Sequence, residues 1–296
     1  MLYVGSGRKV YAIDARTGQE KWTVATGGSV DSSPKVVDGI LYVGSNDKNV
    51  YALDANTGQE KWTFSTGDSV KSSPEVVDGM LYIGSDDKKV YAIDISTGQK
   101  KWTFATGGPV KSSPTIVNGV LYIGSWDQQV YALDANTGQK KWDFVTGGSV
   151  DSSPEVVDGI LYVGSNDKNV YAIDISTGQE KWTFATGSFV ASSPIVVNNV
   201  LYISSDKVYA IDARTGKEKW TFETGLTVFS SPVVTGDVLY VNANKVYALD
   251  VKTGQEKWDF PTDHGGTSTP IVANGVLYVG SDSGRVYAVP LPIESS

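Results

Sequence analysis

Residues 50–62 read V-Y-A-L-D-A-N-T-G-Q-E-K-W, and the same frame returns along the whole chain. Its fixed elements are A-x-D-x-x-T-G-x-x-x-W, met first at Ala12, Asp14, Thr17, Gly18 and Trp22. The frame begins again at Ala52, Ala92, Ala132, Ala172, Ala210 and Ala248, making seven copies. Its tryptophans are Trp22, Trp62, Trp102, Trp142, Trp182, Trp220 and Trp258, spaced by 40 residues and, for the last two steps, by 38. Each part has a mechanical reading. T-G closes a hairpin in which glycine supplies an unusual backbone angle. The aspartate accepts backbone N–H groups in that turn. The tryptophan offers a broad apolar face, and alanine leaves room for one.

Outward from this frame, three more short segments recur in every period. S-S-P-x-V-V, as at 32–37, leads into a two-residue turn: Asp38-Gly39, Asp78-Gly79, Asn118-Gly119, Asp158-Gly159, Asn198-Asn199, Gly236-Asp237 and Asn274-Gly275. Such pairs tolerate positive φ and mark tight hairpins. L-Y-V-G-S and V-Y-A follow, and K-W-x-F closes the unit. All are short, β-branched or aromatic, and none carries a helical apolar period. Four antiparallel strands in about 40 residues read as one blade of a β-propeller, stable only by stacking on its neighbours. Length alone would give about two domains. The repeat overrides it and predicts a single all-β propeller domain over 1–296.

There are eight L-Y segments and eight V-Y-A segments, but seven S-S-P and seven K-W segments. Eight blades, the favoured count, leave the first without its inner strand and the last without its outer one. Seven blades would close by pairing the C-terminal strands with the strand around Trp22. Residues 31–50 and 151–170 differ only at Lys35 against Glu155, the mark of recent duplication or deliberate construction.

The frame resembles the tryptophan-docking motif of the pyrroloquinoline-quinone-type propeller family. That family includes quinoprotein alcohol dehydrogenases and the propeller lipoprotein of the outer-membrane barrel-assembly machine. The likeness runs over essentially residues 2–289 and implies that Trp22 sits between Gly18 and Ala52, Trp62 between Gly58 and Ala92, and so on. It further implies either a quinone cofactor with a calcium or lanthanide ion, or a non-enzymatic role in protein–protein contact at a cell envelope.

Composition narrows the choice. Cysteine is absent and histidine occurs once, at His264, which excludes disulfides, thiolate nucleophiles and multi-histidine metal sites. The dehydrogenases' cysteine pair is therefore missing, and the constant period leaves no room for their long insertions. A formal charge of −8 argues against a nucleic-acid partner. No apolar run approaches a membrane span, and no signal-peptide layout opens the chain. Most acidic residues sit at repeated positions, where a structural role is expected. The turns Asn46-Asp47-Lys48-Asn49 and Asn166-Asp167-Lys168-Asn169 offer too few oxygens for calcium. No catalytic residue, cofactor or metal ligand is assigned.

Function is expected where the copies part company. Three residues before the repeated proline the series runs Asp31, Lys71, Lys111, Asp151, Ala191, Phe229, Thr267. Two positions earlier, Ser29, Ser69, Pro109 and Ser149 give way to Phe189, Thr227 and Gly265; one earlier still, Leu226 and His264 replace glycine or aspartate. Trp126 adds an aromatic to a turn between second and third strands. Trp126, Phe189, Leu226, Phe229 and His264 are predicted to share the face that carries these turns and the inter-blade connections. A protein or peptide partner is expected there. The charges at 31, 71, 111 and 151 are expected to neutralise one another. A remnant quinone binder, a carbohydrate binder stacking on Trp126 or Phe229, and an engineered repeat without a partner stay open. The chain is read as a monomer, and the family likeness favours an extracytoplasmic location.

Overall fold

The computed structural model describes residues 1–263 and 266–292. Among these residues every regular element is a strand, in eight antiparallel sheets, and no helix is long and apolar enough to cross a membrane. The fold is an all-β propeller of eight blades. The chain groups into two compact units, Met1–Pro154 and Glu155–Ser296. The first holds blades 1 to 4 (residues 2–25, 35–65, 75–105 and 115–145); the second holds blades 5 to 8 (155–185, 195–222, 233–260 and 271–290). Blades 2 to 7 have four strands in sequence order, whereas blades 1 and 8 have three. Blade 1 lacks the S-S-P strand and blade 8 the K-W strand. The seven-blade closure is not adopted: residues 2–13 pair with the strand of Trp22 in a sheet of their own.

Blade 2 is the pattern for the rest. Its strands are Lys35–Val37, Ile40–Gly44, Asn49–Asp54 and Glu60–Ser65. Asp38 and Gly39 join the first two with φ of 49° and 75°, the two successive positive angles that match a hairpin's twist. Asp54 organises the turn before the fourth strand. One carboxylate oxygen accepts the N–H groups of Asn56 and Thr57 at 3.1 and 3.0 Å, and the other meets Lys61 at 3.2 Å. This lysine–aspartate pair recurs in all seven copies, so the lysine beside each tryptophan belongs to the motif.

The tryptophan packs in the opposite sense from the one the family likeness implied. Trp62 lies opposite Ala52 of its own sheet, and the glycine against its ring is Gly98 of the following blade. Trp22 likewise opposes Ala12 and meets Gly58, while nothing lies within 4 Å of a Cβ built on Gly18. The indole N–H points forward too: Trp22 donates to Ala55 O, Trp62 to Ile95 O and Trp102 to Ala135 O, at 2.8–3.0 Å. Motif spacing alone does not reveal which neighbour a side chain reaches.

The serines are adhesive as well. The first of each S-S-P accepts an N–H from the second strand of its own blade, as Ser72 Oγ does from Gly84 at 3.0 Å. The second accepts one from the preceding blade. Ser33 donates to Ser73 Oγ, Ser73 to Ser113 Oγ and Ser113 to Ser153 Oγ, each at 2.9 Å. In the second unit Ser193 donates to Ser231 Oγ and Ser231 to Thr269 Oγ1. A hydroxyl that accepts a backbone N–H in blades 2 to 8 alike needs no catalytic explanation.

Candidate functional site

In both units the turn between second and third strands lies against the connection entering its blade. Asn46 donates its N–H to Ser29 O, Asp86 to Ser69 O and Trp126 to Pro109 O. Asp47 latches the arrangement. Its carboxylate accepts Gly27 N–H at 2.6 Å, Tyr51 OH at 2.7 Å and Asn49 N–H at 3.0 Å. Burial first, then this carboxylate, pushes the Tyr51 phenol up to about 12. The acidic turn is thus occupied by its own fold.

In the first unit the charges before the proline find partners on this turn. Asp31 accepts from Asn46 Nδ2 at 2.8 Å, and Lys71 pairs with Asp86 at 3.1 Å. Trp126 replaces these polar residues and is held by two of the charges at once. Lys111 Nζ stands 3.3 Å from the ring centroid, and the indole N–H donates to Asp151 Oδ1 at 2.6 Å. A cation over an indole is worth about 0.5–1 kcal/mol at exposed sites. Burial, then Lys71 nearby, lowers the pKa of Lys111. The expected neutralisation of one charge by another is therefore replaced here by an aromatic ring between Lys111 and Asp151. Trp126 stays 41% exposed.

The second unit carries a different surface. Phe189 and Phe229 meet with ring centroids 5.7 Å apart, each more than a third exposed, and Leu226 is 59% exposed. Leu226 and Phe229 line an open hollow of 440 Å³ with Thr227, Asn242, Ala243 and Asn244. The turn Asn242–Lys245 of blade 7 is two residues shorter than Gly44–Asn49 of blade 2, as is Ser204–Lys207 of blade 6, which accounts for the two 38-residue steps. Of the predicted residues, three are thus gathered in this unit and Trp126 belongs to the separate cluster of the first. His264 lies outside the described residues.

Asn242 was missed by the sequence reading. It stands where blades 1 to 5 have Gly5, Gly44, Gly84, Gly124 and Gly164. A Cβ on those glycines would come within 2.3–2.4 Å of Val30, Val70, Val110, Val150 and Val190. In blade 8 the valine is replaced by Gly266, and Asn242 fills the space. Its Nδ2 donates to Ser268 O and Gly280 O at 3.1 Å, and its Oδ1 is buried with no partner. Bulk has changed sides across the blade interface, leaving an unanswered acceptor at the hollow. Lining up the repeats would have exposed the exchange, because both departures occur at otherwise near-invariant positions.

Comparison with known proteins places this geometry. Residues 1–77, 50–183 and 146–294 match the family described as outer membrane protein assembly factor BamB. The chain belongs to the BamB family. No curated protein is detectably similar in sequence. Among solved structures, BamB from Moraxella catarrhalis superposes with a TM-score of 0.83 at 22% identity, over 96% of this chain and 92% of that one. The computationally designed Ika8 protein gives 0.87 at 18%, over 98% and 92%. Quinohemoprotein alcohol dehydrogenase ADHIIG from Pseudomonas putida HK5 gives 0.80 at 18%, over 93% and 67%. At these identities the likeness is one of fold.

Among the described residues, no three His, Cys, Asp or Glu side chains come together as a metal-binding set. The acidic turns are spent on the fold. Trp126, off the repeated frame, has Lys111 on its ring.

Proposed function

We propose that this BamB-family propeller is a non-catalytic binding module that docks a protein or peptide partner on the Leu226–Phe229–Phe189 surface of its second unit. The observation that carries the reading is the conjunction at the hollow. Exposed Leu226 and Phe229, the latter in ring contact with Phe189, line a concavity beside the unpartnered Asn242 Oδ1. A partner side chain entering it buries apolar area, and each well-covered aromatic contributes about 1.5–3 kcal/mol. Family membership supports an extracytoplasmic location.

Selection of peptides from a random display library against the intact chain tests this. Bound sequences are expected to carry a large apolar or aromatic anchor, and Phe229→Asp should weaken them by about ten-fold or more. Absence of any saturable peptide, or peptides indifferent to Phe229→Asp and Leu226→Asp, would remove the proposal.

A further inference from the structure

The second unit has another concavity at the opposite end of its strands, between blades 5 and 6. It encloses 550 Å³ beside an aliphatic wall of Val157, Ile160 and Val196, and Asp158, Asn198, Asn199 and Arg214 stand around it. A space of that size accepts small organic ligands.

Two of these residues break the repeat. Arg214 stands where blades 2 to 5 carry the short side chains of Asn56, Ser96, Asn136 and Ser176. Asn199 stands where they carry Gly39, Gly79, Gly119 and Gly159. Its φ of 64° is the left-handed backbone that glycine adopts freely and other residues adopt at a cost. Both departures belong to blade 6, and both side chains open on the one concavity. Arg214 is also rigidly presented. Ala213 O accepts the Tyr162 hydroxyl at 3.0 Å and the Trp182 indole N–H at 2.9 Å, both from blade 5. Ala213 N–H donates to Asn199 O at 3.0 Å, and Arg214 N–H to Asp212 Oδ1 at 3.2 Å. One blade further on the features are gone: Val251 replaces Ala213, and Asp237 is paired with Lys257 at 2.6 Å.

Asp158 and Arg214, by contrast, have no ion-pair partner among the described residues. Burial first pushes the Tyr162 phenol up to about 12; the Asp158 charge adds to the rise and Arg214 opposes it. The two charges thus act on one residue of the pocket without meeting each other. A planar guanidinium suits a carboxylate, and a free carboxylate suits an ammonium group. With an aliphatic wall beside them, they complement a molecule that carries both charges on an apolar body.

We propose that this concavity binds a small aliphatic zwitterion, an apolar amino acid or a short peptide of such residues, with its carboxylate on Arg214 and its ammonium group on Asp158. Val157, Ile160 and Val196 cover the aliphatic body. The site shares no residue with the Leu226–Phe229–Phe189 surface.

The probes are leucine and the dipeptide Leu-Leu, titrated into the full chain by calorimetry. Saturable binding is expected, and the tighter of the two sets the length the site accepts. The C-terminal amide of that probe should bind the intact chain about ten-fold or more weakly, but bind Arg214→Gln as well as the acid does. Its N-acetyl form should show the same pattern with Asp158→Asn, a change the turn tolerates because Asn118 holds the same place in blade 4. Arg16→Gln, the same substitution at the same motif position of blade 1, should leave binding unchanged. Failure of both probes to saturate, an amide that binds the intact chain as tightly as the acid, or affinity indifferent to both Arg214→Gln and Asp158→Asn would overturn the proposal.

Discussion

The docking glycines allow the blade-to-blade packing to be measured against an internal control. Gly138 and Gly18 occupy the same place in their motifs, with φ of +72° and +70°. A Cβ on Gly138 would stand 2.7 Å from Cδ2 and Cε3 of Trp102, whereas a Cβ on Gly18 has nothing within 4 Å. Alanine at either site bears the left-handed backbone cost, about 1 kcal/mol. Only Gly138→Ala must also push back an indole whose N–H is tied to Ala135 O at 2.9 Å, an overpacking cost of about 2 kcal/mol. Urea denaturation followed by tryptophan fluorescence should therefore show losses of about 3 kcal/mol for Gly138→Ala and about 1 kcal/mol for Gly18→Ala. With Trp102→Ala in the background, Gly138→Ala should fall back to about 1 kcal/mol, a coupling of about 2 kcal/mol. Equal losses at the two glycines, or no coupling, would refute the forward stacking of each tryptophan on the next blade.

Three other outcomes follow from the same contacts. Gly266→Val should destabilise the chain, since a Cβ there meets Asn242 Nδ2 at 2.5 Å, and Asn242→Gly in the same molecule should restore part of the loss; melting temperatures of both single variants and the double variant check this. Stability should plateau near neutrality and fall on both sides, as thermal melts across pH would show. The motif carboxylates are held below their usual range, Asp94 by the Ser96 hydroxyl first and then Lys101, so their contribution is present above about pH 4 and lost as pH falls through the folded values. Tyr51 and Tyr209 are raised to about 12, so the contribution of their protonated phenols is complete below about pH 10 and lost as pH rises toward 12. Titration with pyrroloquinoline quinone, with and without calcium, should give no saturable tryptophan quenching; stoichiometric binding would revive the dehydrogenase reading.

The repeated elements were legible in the sequence because their causes are local. Asp38-Gly39 dictates its own turn, and alternation within L-Y-V-G and V-Y-A dictates strands, so the blades could be written down and counted. Direction across a blade interface was not legible. Trp62 lies 4 residues from its own Gly58 and 36 from the Gly98 it packs on, and only the fold decides which glycine meets which ring. The lysine before each tryptophan carries no signal of its role in the sequence; the fold brings Lys61 to Asp54. The exposure of Trp126, Phe189, Leu226 and Phe229 followed from their departure from consensus. The hollow did not, because it is lined by segments far apart in the chain, Leu226 to Phe229, Asn242 to Asn244 and Gly266 to Thr267, that only the fold brings together.

The docking surface is tested most directly by amide hydrogen exchange of the intact chain with and without a saturating library-selected peptide. The account predicts slowed exchange over residues 226–229 and 242–244, with the first unit unchanged. Slowing elsewhere with that hollow untouched, or no slowing at all, would contradict it.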